Sequence, residues 1–274
     1  MPGPDRYVLF GHPVSHSWSP FIHGLFARQL GHEIDYQLMD VAPPRFRAVV
    51  LEFFASGGRG ANVTVPHKLA AAELANDLTE RARRAEAVNT LAMREDNSLL
   101  GDNTDGAGLV ADLIGNLGVR LSGRSLLILG AGGAVRGVLA PLLAEGPARV
   151  MIANRTVSRA SQLAGAFADL GAITAGSFGD SGRNSWDIVI NATSAGLSGQ
   201  APDLPDAAIH AETVCYDMSY SRTDTPFQRW AATRGVVHTH QGWGMLVEQA
   251  AETYLLWRGV RPDTGAVRAA LAQL

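Results

Sequence analysis

Apolar residues along this chain alternate between short dense runs and longer segments that keep one polar face. Dense runs at 6–11, 34–41 and 60–65 predict strands, each bounded by glycine, proline or a polar turn. The segments 20–31 and 44–56 read as helices, and Pro66-His67-Lys68 opens a third, with proline suited to a helix start. Residues 88–93 and 99–100 predict an antiparallel hairpin turning at Glu95-Asp96-Asn97. Strands alternating with helices predict a mainly parallel sheet covered on both faces.

A second series starts with a helix from Asp105 to about 117. Strands are expected at 125–129, 149–153, 186–191, 214–218 and 236–239, and helices at 134–145 and 160–170. Pro141 predicts a kink or an early end in the first of these helices. Gly242-Trp243-Gly244 leads into a long helix at 245–257, and 266–274 reads as a terminal helix. Two helices cannot bury a core alone, so the tail is expected to pack back on the first series. The expected division is 1–104 plus 240–274 against 105–239. Trp243 and Trp257 are expected in the core, and 77–84 as a solvated helix face. No repeat of fixed period stands out.

The stretch 125–159 carries the clearest chemistry. A buried strand runs into Gly130-Ala131-Gly132-Gly133 and then a helix. Backbone N–H groups at such a turn can approach a pyrophosphate, and the positive end of the helix favours that anion. Val135 stands where the dinucleotide fingerprint has a third glycine or alanine. An NAD site usually has Asp or Glu about 20 residues past the first glycine, for the ribose 2′-hydroxyl. Here that place holds Asn154, Arg155, Thr156 and, slightly later, Arg159. No carboxylate is there to repel a 2′-phosphate, and two guanidiniums can grip one. The reading is NADP; the alternative is an ordinary strand–helix unit with a basic helix start.

Composition narrows the partners. The chain has 274 residues, 46% hydrophobic and 18% charged, enough to bury a core in one large or two ordinary domains. A formal net charge of −3 gives no electrostatic case for nucleic acid or an anionic membrane. Cys215 is the single cysteine, which excludes an intrachain disulfide or a thiolate metal cluster. The first five residues lack a signal pattern and no apolar run is membrane-length, so a cytoplasmic protein is expected. His238 and His240 share one face of a strand, but no further zinc ligands stand near, and no metal is expected.

Three stretches of the first series carry polar groups at the ends of strands, where open α/β sheets bind ligands. Ser17 and Ser19 precede a helix and suit an anionic carboxylate; equally, Ser19 before Pro20 suits a helix N-cap. Lys68 sits in the first turn of a helix, whose dipole disfavours its charge and helps it exchange a proton; a solvated surface lysine is the plainer alternative. Asp105 at the next helix start is either a cap or the carboxylate that holds Lys68.

The chain resembles the shikimate dehydrogenase family over nearly its whole length. The resemblance rests on His16-Ser17-Trp18-Ser19-Pro20, Asn62-Val63-Thr64-Val65-Pro66-His67-Lys68, Ala87-Val88-Asn89-Thr90 and Gly101-Asp102-Asn103-Thr104-Asp105-Gly106. It continues through Gly130-Ala131-Gly132-Gly133-Ala134, Asn154-Arg155-Thr156, Asn191-Ala192-Thr193-Ser194, Tyr216-Asp217-Met218 and 244–250. It implies two α/β domains flanking a cleft, the second a Rossmann-like dinucleotide-binding domain. It implies Lys68 and Asp105 as the catalytic pair, with Ser17, Ser19, Thr64, Asn89, Tyr220 and Gln249 on the substrate. Gly130, Gly132 and Gly133 would take the pyrophosphate, and Asn154, Arg155, Thr156 and Arg159 the 2′-phosphate. Thr193, Met218 and Gly242 would line the nicotinamide side. Trp18, His12 and Gln241 stand where the family often has Lys, Asn and Asp.

The expected activity is NADP-dependent, reversible reduction of 3-dehydroshikimate to shikimate, on the way to the aromatic amino acids, by a monomer or homodimer. The alternatives are a relative acting on quinate or aminoshikimate, and a non-catalytic NADP-binding regulator.

Overall fold

The computed structural model describes residues 3–193, 195 and 199–273; Ser194 of the motif quoted above lies outside them. The chain forms two compact units. One runs up to Gly108 and resumes at Leu246; the other is Leu109–Met245.

The first unit is built on strands β1 (Asp5–Gly11), β2 (Ile34–Asp40), β3 (Gly58–Val63), β4 (Asp77–Leu78), β5 (Thr90–Met93) and β6 (Leu99–Asp102). They form one sheet in the order β2-β1-β3-β5-β6-β4. Only β5 runs antiparallel to its neighbours, as the β5–β6 hairpin requires. Side chains alternate across a strand. Val8 and Phe10 of β1 therefore share one face, with Phe46, Val50 and Phe53 of helix α2 (Phe46–Ala55). Tyr7 stacks instead on Trp257, with ring centroids 4.5 Å apart. Trp257 belongs to helix α9 (Trp243–Arg258). Ile22 and Phe26 of α1 (Ser19–Leu30) join Val247, Ala250, Ala251 and Tyr254 of α9 in one buried cluster. Fully burying such a side chain is worth about 1.5–3 kcal/mol, so these clusters anchor the loops above them.

Helix α3 (Lys68–Leu74) follows β3, and α4 (Glu80–Ala85) follows β4. The stretch 77–84 is not a uniformly solvated helix. Asp77 and Leu78 pair with β6, and Thr79 caps α4 by accepting the Ala82 N–H. Arg81 grips the buried Asp102 through both carboxylate oxygens. Helix α5 (Asp105–Val110) continues as a wider π-helical turn, Ala111–Asn116.

The second unit has strands β7 (Ser125–Leu129), β8 (Arg149–Ala153), β9 (Ile173–Gly176), β10 (Ile188–Asn191), β11 (Val214–Asp217) and β12 (His238–Gln241). All neighbours pair parallel, in the order β12-β11-β10-β7-β8-β9. That is the doubly wound order, with its switch point between β7 and β10. Leu126 and Ile128 enter one core and Leu127 and Leu129 another, so β7 is apolar throughout because both faces are covered. Helix α6 (Gly133–Ala144) keeps Pro141 inside it without ending there. Helix α7 (Val157–Ala166) follows β8, α8 (Pro226–Ala232) precedes β12, and α10 (Gly265–Leu271) closes the chain. Among the described residues no helix is long and apolar enough to cross a membrane.

Candidate active site

In the first unit the strand ends gather a continuous polar cluster. Lys68 is the first residue of α3 and Asp105 the first of α5. The Lys68 ammonium donates to Asp105 Oδ2, in a mostly buried ion pair. Asp105 suits the positive end of its own helix. Lysine at the start of α3 meets the opposite field, and the carboxylate offsets it. An ammonium has three N–H donors, so two are left for a ligand.

Asn89, buried at the entry to β5, holds the other side of Asp105. Its Nδ2 donates to Asp105 Oδ1 at 2.8 Å and to Thr104 Oγ1 at 2.9 Å, while its Oδ1 accepts the Thr104 N–H at 2.9 Å. Thr104 Oγ1 lies 3.4 Å from Gln249 Oε1, and Gln249 Nε2 donates to the Leu246 carbonyl at 2.8 Å. Lys68, Asp105, Asn89 and Gln249 are thus brought together.

The serines form their own pair. Ser17 Oγ donates to Ser19 Oγ at 3.1 Å and accepts the Ser19 N–H at 3.2 Å. Ser19 does not cap α1: Trp18 occupies that position and makes no side-chain cap bond. Ser17 therefore does part of the capping, and the buried Ser19 hydroxyl faces inward to Tyr36. Tyr36 in turn donates to Asn62 Oδ1 at 2.8 Å. Burial raises the Tyr36 pKa, opposed by the Ser19 bond, so it stays a phenol. Thr64 follows β3, its N–H bonded to the Phe10 carbonyl at 2.9 Å. A side chain at Gly11 would strike the Thr64 methyl at 2.4 Å, so glycine there keeps Thr64 in place. Trp18 packs edge-on against Phe21 and on the α1–α9 cluster; His12 pairs with Asp40.

Sequence reasoning did not single out Tyr36, Asn62, Thr90 or Thr253, which tie these groups together. Asn62 and Thr90 stand inside quoted motifs; Tyr36 and Thr253 carry no local signal. Beneath them lies His23, fully buried, stacked on Tyr36 at 4.6 Å and with no partner for Nδ1 among the described residues. Burial drives its pKa down to about 3, against a bond to Asn62 that raises it.

The second unit presents a different surface. Gly130 follows β7 at φ 107°, a left-handed conformation that favours glycine. A side chain there would also press on the Ala192 carbonyl at 3.2 Å, where β10 ends. Gly132 caps α6 and Gly133 begins it, with open space where a side chain would stand. No side-chain oxygen caps α6, and its first turn holds no acid. The N–H groups of that turn are left for an anion, as a pyrophosphate requires.

At the end of β8, Asn154 Nδ2 donates to the Thr156 carbonyl at 2.9 Å and shapes the turn into α7. The Thr156 hydroxyl does not cap α7. Arg155 and Arg159 are exposed, and neither has an ion-pair partner among the described residues. Two free guanidiniums beside an uncapped helix start fit a 2′-phosphate. Thr193 is held by its N–H and hydroxyl, which donate to Asn191 Oδ1 at 3.1 and 2.8 Å. Met218 N–H donates to the Asn191 carbonyl at 2.9 Å. Gly242 passes so close to Met218 that a side chain would meet its carbonyl oxygen at 2.4 Å. Tyr220 belongs to this unit, packed on Trp243 at 4.5 Å, with its pKa raised by burial. Trp243 is half-buried and donates to the Ser221 carbonyl at 3.1 Å, while Gln241 accepts the Ser221 N–H. Cys215 is buried, its thiol pushed up to about 12, and so is unreactive.

Three family models match the chain. Residues 9–91 match the shikimate dehydrogenase substrate binding domain, 112–198 match shikimate / quinate 5-dehydrogenase, and 242–272 match the shikimate 5'-dehydrogenase C-terminal domain. A shikimate dehydrogenase (NADP(+)) from Thioalkalivibrio sulfidiphilus is 56% identical over 263 residues, 96% of each chain. The crystal structure of an Ael1 enzyme from Pseudomonas putida matches with a TM-score of 0.91 and 43% identity, covering 97% of this chain and 98% of that one. The Thermus thermophilus shikimate 5-dehydrogenase, solved with NADP(H) and shikimate, matches with a TM-score of 0.87 and 32% identity over 98% of this chain and 99% of that one.

Proposed function

The chain belongs to the shikimate dehydrogenase family, and from that premise we propose that Lys68 and Asp105 carry the proton transfer of its reaction. The reaction is the NADP-dependent interconversion of 3-dehydroshikimate and shikimate. Bound NADPH supplies the hydride. The Lys68 ammonium gives a proton to the ketone oxygen as the C=O electron pair settles there. In reverse, the Lys68 amine takes the hydroxyl proton. Asp105 aims Lys68 and accepts a hydrogen bond from a ring hydroxyl. Ser17 and Ser19 bind the carboxylate, and Thr64, Asn89, Tyr220 and Gln249 the hydroxyls. In this proposal residues 1–104 with 240–274 form the substrate-binding and catalytic domain, and Asp105 and Tyr220 are contributed from 105–239.

Residues 105–239 form the NADP-binding domain in this proposal. Gly130, Gly132 and Gly133 hold the pyrophosphate. Asn154, Arg155, Thr156 and Arg159 hold the 2′-phosphate, and Thr193, Met218 and Gly242 lie on the nicotinamide side. The observation that carries the reading is the mostly buried Lys68–Asp105 pair, steadied by Asn89. A lysine placed so has its ammonium aimed by the carboxylate and two N–H donors left for a ligand oxygen.

The test is absorbance at the nicotinamide band, with shikimate or quinate against NADP⁺ or NAD⁺. Shikimate with NADP⁺ should give the highest kcat/KM. Faster turnover of quinate would reassign the substrate, and an inert protein would favour the regulator.

A further inference from the structure

Thr253 lies on α9 one helical turn beyond Gln249 and is fully buried. It is not among the proposed ligand contacts, yet its hydroxyl meets polar groups from three other segments. It lies 2.8 Å from Thr90 Oγ1 and 3.3 Å from Thr104 Oγ1, and accepts from Asn62 Nδ2 at 3.3 Å. Thr90 is also fully buried.

The direction of these bonds follows from where the Thr90 proton goes. A threonine hydroxyl has one proton to give, and an amide oxygen can only accept. Thr90 therefore donates to Asn89 Oδ1, 3.0 Å away. With its proton there, Thr90 leaves Thr253 as the donor in the 2.8 Å contact, which either hydroxyl has the geometry to make. Asn89 Oδ1 also takes the Thr104 N–H at 2.9 Å, so both its lone pairs are engaged. The amide is held in one orientation, with its NH₂ group toward Asp105 Oδ1 at 2.8 Å. Asp105 keeps Oδ2 for Lys68.

We propose that Thr253 and Thr90 are positioning residues, a buried two-hydroxyl relay that locks the Asn89 amide and so aims Asp105 at Lys68. The proposal rests on the Lys68–Asp105 reading of the site. Without the relay Asn89 Oδ1 keeps the Thr104 N–H but loses its second donor, and the amide is held less firmly. A loosened amide would move its NH₂ group off Asp105 Oδ1, and the carboxylate would leave its line to Lys68. The effect belongs on the rate of proton transfer more than on substrate binding.

The experiment compares shikimate oxidation by NADP⁺ in Thr253→Val, Thr90→Val, Thr253→Ser, Thr90→Ser and Lys68→Ala, each with its melting temperature. The valine variants keep the shape and lose the hydroxyl. They should lose kcat about tenfold, with KM for shikimate changed less. The serine variants keep the hydroxyl and leave a methyl-sized gap, so they should melt earlier yet hold near-native kcat. A purely structural role predicts that kcat follows stability in both sets, and that result overturns the relay. Should a valine variant fail to fold, Thr253→Ala removes the same hydroxyl without crowding and must show the same loss of kcat. Native kcat in the valine variants beside a crippled Lys68→Ala would sink the relay alone. Native kcat in Lys68→Ala would sink the reading of the site and the relay with it.

Discussion

At the scale of single residues, the site divides into groups that advertise themselves and groups that do not. Lys68, Asp105 and Asn89 lie in local motifs, because a ligand contact at a strand end needs a particular side chain at a particular turn. Tyr36 and Thr253 become polar partners only when β2 and α9 are packed into the same unit as β3 and β5, so no window of sequence contains them. The serines show the same limit in another form. Local spacing offered Ser19 as a cap, but α1 begins one residue earlier in its capping role, at Trp18, and Ser19 is turned inward to Tyr36. If the pair binds the substrate carboxylate, Ser17→Ala and Ser19→Ala should raise KM for shikimate several-fold and shift the melting temperature little. The check is steady-state kinetics beside a thermal melt. Native KM with earlier melting would mean that the hydroxyls serve the helix start and nothing more.

At the scale of elements, strands and helices with a full apolar pattern were legible, and short or edge elements were not. β7, β8, β10 and β11 are buried dense runs. β9 is a four-residue edge strand, half-exposed, with too few apolar positions to show a period. β4 has two residues and exists because β6 pairs with it. α8 did carry a readable signal: Thr225-Pro226-Phe227-Gln228 is a capping box with proline at its first turn, and both reciprocal bonds form. Pro141 was expected to disturb α6, but packing of Val138, Leu139, Leu142 and Leu143 in the core holds the helix through it. The β8–α7 turn makes a prediction of its own. Arg155 and Arg159 have no carboxylate partner among the described residues, so their charge is available to a 2′-phosphate. Replacing both by alanine should weaken NADP⁺ binding tenfold or more, at about 1.5–3 kcal/mol per charge-assisted bond, and leave NAD⁺ nearly unchanged. Titration calorimetry with each cofactor decides it; equal losses would remove the two arginines from the cofactor site.

At the scale of the whole molecule, pH and turnover are the properties to measure. His23 is buried neutral, with its pKa lowered from 6.5 to about 3 by burial, the largest effect. Below pH 6.5 the unfolded chain binds a proton that the folded chain refuses. The unfolded state then carries more protons, so stability falls as pH drops from 6.5 toward 3, at up to about 1.4 kcal/mol per pH unit. Between pH 7.5 and 5 the native protein should therefore lose about 2 kcal/mol more than His23→Phe, as read from urea midpoints. Parallel losses would show that His23 does not govern the acid side. The proposed proton donor belongs to the unit that resumes at Leu246, and the proposed cofactor residues belong to the other. The most direct measurement is kcat and KM of Lys68→Ala for shikimate and NADP⁺. The account predicts a kcat lower by about 10²–10⁴-fold, the usual range for a general acid–base group, with both ligands still bound. A kcat close to the native value, with only KM raised, would contradict it and leave Lys68 as a binding group for a hydroxyl.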